Sequence, residues 1–148
     1  MHIQDLLLPN NVAVTVRTSN KIELLEQVTN RLAERMNLPS PVIVSAILKR
    51  EELGSTGTGG GVAIPHARIP MIQKASGFLA RLDRAIEFDA IDGQPVDLIF
   101  VLLLPIVSDG KPPLHALACV ARKLRQSDVL LKLRLANNQT ELYAAIAD

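Results

Sequence analysis

Val96-Asp97-Leu98-Ile99-Phe100-Val101-Leu102-Leu103-Leu104 is apolar at every position except Asp97, and Pro105 closes the run. A strand wetted on one face alternates polar and apolar residues, whereas a strand covered on both faces is apolar throughout. The stretch therefore predicts a central strand between two helical layers. Before it, Asp92-Gly93 marks a turn and Ile86-Glu87-Phe88 a short strand or edge segment. Phe78, Ala80 and Leu82 alternate with Leu79 and Arg81, a strand period. After it, Ser108-Asp109-Gly110-Lys111-Pro112-Pro113 reads as a loop opening a helix, with Leu114, Leu117, Ala118, Ala121 and Leu124 as the buried stripe. Ser127 reads as the cap of a helix bearing Leu130 and Leu133 and ended by Asn137-Asn138. Asn138 and Glu141 cap a last helix, with Leu142, Ala145 and Ile146 inward.

The N-terminal part continues the alternation of strand and helix. Leu6-Leu7-Leu8 suggests one helical turn ended by Pro9, and Val12, Val14 and Val16 alternate as a strand. Asn20 and Glu23 form a capping-box pair ahead of Ile22, Leu25, Val28, Leu32 and Met36, which predicts a helix over roughly 20–37. Ser40-Pro41 opens a second helix, with Val44, Ile47 and Leu48 inside and Gly54 as its stop. Interleaved strands and helices give an α/β fold with a sheet between helical layers. The length of 148 residues predicts a single domain over 1–148.

Composition narrows the function. Hydrophobic residues make up 48% and aromatics only 3%, so the core is aliphatic and stacking platforms for single-stranded nucleic acid are missing. A net charge of +1 argues against a general nucleic-acid or membrane role. Cys119 is the only cysteine, which fits a reducing compartment, and its apolar helical setting predicts a buried, inert thiol. The start Met1-His2-Ile3-Gln4-Asp5 lacks a basic segment before an apolar run, so no signal peptide is expected. The apolar run Leu98 to Ile106 is far short of the ~20 residues of a membrane helix, so a cytoplasmic protein is expected.

Function concentrates in Gly54-Ser55-Thr56-Gly57-Thr58-Gly59-Gly60-Gly61-Val62-Ala63-Ile64-Pro65-His66, which holds five of the eight glycines. Glycine lets the backbone approach a ligand, and successive N–H groups can cradle an anion. An imidazole near neutral pH can serve as nucleophile or proton carrier. A sharp connection next to a structural histidine is the other reading of the same residues. Two nucleotide motifs fail: Gly59 is followed by glycines rather than a P-loop lysine, and Val62 stands where a dinucleotide fingerprint begun at Gly57 needs glycine. Cysteine and histidine show no metal-ligand spacing, so neither metal nor cofactor is expected.

The run Arg50-Glu51-Glu52-Leu53-Gly54-Ser55-Thr56-Gly57, followed by Ala63-Ile64-Pro65-His66, resembles the enzyme IIA domain of the fructose/mannitol class of the bacterial phosphotransferase system. The nitrogen-regulatory branch is the most similar, and the likeness extends from Ile3-Gln4-Asp5-Leu6 to the last helix. Ala67 departs mildly from the glycine often found after the histidine. The resemblance implies a mixed sheet in a three-layer α/β/α sandwich.

It also implies a phosphoryl carrier, with His66 as the phosphorylated nucleophile and His115 as the supporting histidine. Arg50 would stabilise phosphate charge, and Thr56, Gly57, Thr58, Gly59, Gly60 and Gly61 would line the phosphate. On physics alone Arg50 also suits a helix C-terminus, His115 an ordinary surface position, and Arg68 either a phosphate contact or plain exposure. No acid lies between Gly57 and Arg68 to oppose a phosphorylated product. The implied donor is a histidine-containing phosphocarrier protein. The implied acceptor is a regulatory target protein or an enzyme IIB domain, and nucleic acid and membrane insertion are not expected. A freestanding sugar-transport IIA and an interaction module that is never phosphorylated are the alternatives.

Overall fold

The computed structural model describes residues 1–106 and 114–147. The loop expected over Ser108–Pro113 lies outside them. A single turn over Ile3–Asp5 precedes β1 (Val12–Val16), α1 (Lys21–Arg35) and α2 (Ser40–Glu52). Next come β2 (Gly57–Gly59), β3 (Val62–Ala63), β4 (His66–Ile69), β5 (Ser76–Ile86) and β6 (Val96–Pro105). The chain closes with α3 (Leu114–Lys123), α4 (Ser127–Leu135) and α5 (Gln139–Ala147).

The apolar run of β6 is the spine of a mixed sheet ordered β1-β5-β6-β3-β2, with β4 also paired to β6. β5 runs antiparallel to it; β3 and β4 run parallel along its other edge. Leu98, Phe100, Leu102 and Leu104 pack into the core cluster formed with α3, α4 and α5. Ile99, Val101 and Leu103 pack into the one formed with α1 and α2. Helices therefore cover both faces, and the fold is the three-layer α/β/α sandwich with a mixed sheet. β1 is an edge strand, and Gln139 donates to its Val12 carbonyl at 2.8 Å. Occupying this acceptor blunts the strand as a template for strand addition.

Local signals set most boundaries. Asn20 accepts the Glu23 N–H at 2.9 Å and starts α1. Asn138 likewise accepts the Glu141 N–H at 2.9 Å and starts α5. Several details depart from the expectation, among them Val44, which is only half-buried while Ile43 takes the inner place in α2. Pro39 and Gln126, not Ser40 and Ser127, occupy the N-cap positions of α2 and α4. Ile22 is 52% exposed, and Leu24 takes the buried place beside Leu25 in α1. In α3 the buried residues are Ala116, Cys119 and Val120, with Leu124 buried just past its end, while Leu114 is 55% exposed. Nearly every position of α3 up to Ala121 is apolar, so periodicity could not fix its phase.

Candidate functional site

The site grows from an interruption in the sheet. Val62 lies opposite Leu98 and His66 opposite Leu102, so one register carries from β3 into β4 across Ile64-Pro65. Proline has no N–H to give the ladder. Its carbonyl still accepts from Leu102 N–H at 2.9 Å, so the strand resumes without slipping. His66 is thus the first residue of β4, pinned to the central strand rather than carried on a free loop.

Its ring is fixed as firmly as its backbone. Nδ1 lies 2.8 Å from the Ile64 carbonyl oxygen. A carbonyl can only accept, so Nδ1 carries the proton and Nε2 keeps the lone pair. No partner for Nε2 is found among the described residues. Burial holds the imidazole below its ordinary pKa, and the positive charge of Arg50 adds to this. The Ile64 hydrogen bond and the Glu51 carboxylate pull the other way. The ring is half-buried and neutral at pH 7.

His66 lines an open cleft of about 470 Å³ between the end of α2 and the head of α3. Lys49 and Arg50 border it from α2, Arg68 from β4, and Leu114 and Leu117 from α3. Leu53, 85% exposed, lies at its edge. The structure therefore brings together three candidates of the sequence reading: His66, Arg50 and Arg68. Arg50 also donates from Nη1 to the Gly54 carbonyl at 3.0 Å, tying down the chain just past α2. His115 sits on the first turn of α3, exposed, and is not among the residues lining the cleft.

The glycine run is a hairpin. β2 and β3 pair antiparallel, and Gly60 and Gly61 form the turn with φ of 67° and 80°. Such a two-residue turn needs positive φ at both positions. Several of its N–H groups are already committed. Thr56 N–H donates to Glu51 (2.8 Å), Gly57 N–H to Ser55 Oγ (3.1 Å) and Gly60 N–H to Asp92 (3.0 Å). The expected cradle over Thr56–Gly61 narrows accordingly, since these three donors face acceptors of the chain itself. The hairpin tip is further clamped by Arg134, which donates to Gly60 O at 2.7 Å and to both oxygens of Asp97 at 2.9 Å.

Residues 5–148 match the family described as phosphoenolpyruvate-dependent sugar phosphotransferase system, EIIA 2. The chain belongs to this family. A nitrogen regulatory protein of Bradyrhizobium diazoefficiens is 40% identical over 147 residues, covering 99% of this chain and 95% of the relative. One from Escherichia coli K12 is 42% identical over 134 residues, covering 90% and 82%. The crystal structure of nitrogen regulatory protein IIA-Ntr from Neisseria meningitidis matches with a TM-score of 0.88 at 33% identity, over 97% of this chain and 98% of that one. The family makes this chain a phosphotransfer component of that system. Among the described residues no helix is long and apolar enough to cross a membrane.

Two residues of this EIIA chain carry weight that sequence reasoning did not give them. Glu51 is 8% exposed, and its carboxylate accepts from Thr56 twice and from Lys21 at 2.9 Å. The stretch from Gly57 to Arg68 is free of acids, yet Glu51 still brings a carboxylate whose charge His66 feels. Lys21 also stands 4.6 Å from the centre of the Phe88 ring. Glu51 was visible as part of the Arg50-Glu51-Glu52-Leu53 run; nothing local singled out Lys21, whose partner is far off in sequence.

Proposed function

We propose that His66 is the phosphoryl acceptor of this EIIA protein and that its donor is a histidine-containing phosphocarrier protein. The observation that carries the reading is the hydrogen bond from Nδ1 to Ile64, which leaves Nε2 as the one nucleophilic nitrogen on a ring that lines the cleft. The Nε2 lone pair forms a bond to phosphorus as the bond from phosphorus to the donor imidazole breaks, its electron pair returning to the donor nitrogen. The Nδ1 proton stays on the Ile64 carbonyl side throughout, where it supports the positive charge that the modified ring acquires.

Phosphoryl transfer asks a protein for position and for neutralising charge more than for covalent chemistry. Arg50, Lys49 and Arg68 bring cations to the cleft. His115, at the head of α3 where free N–H groups favour anions, supports the phosphorylated state. The lone buried Cys119 fits a cytoplasmic setting. The role is regulatory, in the nitrogen-related branch, with the phosphorylation state controlling binding to target proteins. Identity of 40% with a nitrogen regulatory protein, over nearly the full length of both chains, supports that branch.

The test is uptake of phosphate from phosphorylated carrier proteins of the sugar and nitrogen branches, followed by transfer to an enzyme IIB domain. Preference for the nitrogen-branch donor and no transfer to IIB support regulation. Efficient transfer to IIB would assign the chain to sugar uptake instead.

A further inference from the structure

We infer that Glu51 is a positioning residue for His66, its buried carboxylate holding Thr56 and, through Thr56, the Ile64 carbonyl that orients the imidazole. The links form an unbroken path. Lys21 donates to Glu51 Oε2 at 2.9 Å. Thr56 N–H donates to the same oxygen at 2.8 Å, and Thr56 Oγ1 donates to Oε1 at 2.6 Å. The Thr56 carbonyl accepts the Ile64 N–H at 3.0 Å. The Ile64 carbonyl accepts Nδ1–H of His66 at 2.8 Å.

A carboxylate this buried is costly unless charge and hydrogen bonds compensate it. Glu51 has both, and the bonds it makes are spent on the residue that holds the segment ahead of His66. Thr56 is itself 5% exposed, so its hydroxyl has no solvent to fall back on. The end of α2 thereby presents neighbouring residues of opposite charge to opposite sides of the site: Arg50 lines the cleft and Glu51 grips the chain behind it. The charged groups around the ring are Lys49, Arg50 and Glu51 from α2 and Arg68 from β4; α3 borders the cleft with Leu114 and Leu117, which carry no charge. Lys21 and Asp89, 3.7 Å apart, stand behind Glu51. Removing the Glu51 charge and loosening the Ile64 bond act on the imidazole in the same direction, since each favours its protonated form.

This deepens the carrier reading and rests on it for the rates, though not for the ring geometry. The experiment is NMR of the protein labelled with ¹⁵N-histidine, comparing wild type with Glu51→Gln, which removes the charge at constant size. The folded variant should show a larger share of the Nε2–H tautomer and a lower titration midpoint for His66. Phosphate uptake at saturating donor should fall, by up to about 100-fold for a displaced nucleophile. KM for the donor should stay unchanged, because Glu51 is buried away from the cleft surface. Should Glu51→Gln fail to fold, Thr56→Val and Thr56→Ser decide: Val should shift the tautomer, and Ser, keeping the hydroxyl, should not. A folded Glu51→Gln or Thr56→Val protein with the wild-type tautomer and midpoint overturns the inference. A wild type that takes up no phosphate overturns the carrier reading instead, while the NMR comparison still decides the role of Glu51.

Discussion

A neutral imidazole with one nitrogen tied to a carbonyl has a single lone pair to offer, and at His66 the fold makes that choice. Because burial and Arg50 lower its pKa below 6.5, the nucleophilic form persists into mildly acid solution. Phosphate uptake should therefore be flat above about pH 6.5 and fall only as pH drops through the lower folded-state value. The linked stability has the same sign. A depressed histidine pKa contributes stability that is fully present above the unfolded value and lost as pH falls through the folded one. In Arg50→Ala the midpoint should move up towards 6.5, since a repelling cation is gone, and uptake should slow by about 10- to 100-fold. Rate–pH profiles of the two proteins check both shifts. An unmoved midpoint would mean that the Arg50 charge does not reach the ring.

At the level of elements, the glycine hairpin behaves as a clamp on the chain leading to His66. A Cβ at Gly61 would stand 2.6 Å from Arg134 Nη2 and 2.8 Å from Asp97 Oδ1, at a φ of 80°. A Cβ at Gly60 meets nothing within 4 Å, at a φ of 67°. Gly60→Ala should cost roughly 1–2 kcal/mol from backbone strain alone. Gly61→Ala should cost about 1–3 kcal/mol more, because it also displaces the ion pair; urea denaturation of the two variants separates the terms. At the head of α3, His115→Ala should fold normally and slow phosphate uptake by about tenfold or more. An unchanged rate would reduce His115 to a surface residue. How legible each element was follows from its residues. β6 could be read directly, because a strand with two dry faces has no polar side. β4 was hidden, because Pro65 breaks the pattern and only four residues follow it in the strand. The phase of α3 was hidden for the opposite reason: too many apolar positions, two of which, Leu114 and Leu117, line the cleft.

Across the described residues, the sheet divides two apolar cores, mainly aliphatic but with Phe78, Phe88 and Phe100 fully buried in them, and places a proline-interrupted edge where α2 and α3 leave a cleft. The local run ending in Ile64-Pro65-His66 singled out the histidine that lines the cleft, and its resemblance announced the family. The pairing of Lys21 with Glu51, like the commitment of the hairpin N–H groups to Glu51 and Asp92, depends on how distant segments meet, which no local pattern encodes. The central claim is that Nε2 of His66 takes phosphorus from another protein's histidine. It is tested most directly by intact-protein mass spectrometry at alkaline pH after mixing with phosphorylated nitrogen-branch carrier protein. The account predicts one added phosphate, lost on acidification and absent in His66→Ala. An unmodified wild type, or a His66→Ala protein that still gains the phosphate, would contradict it.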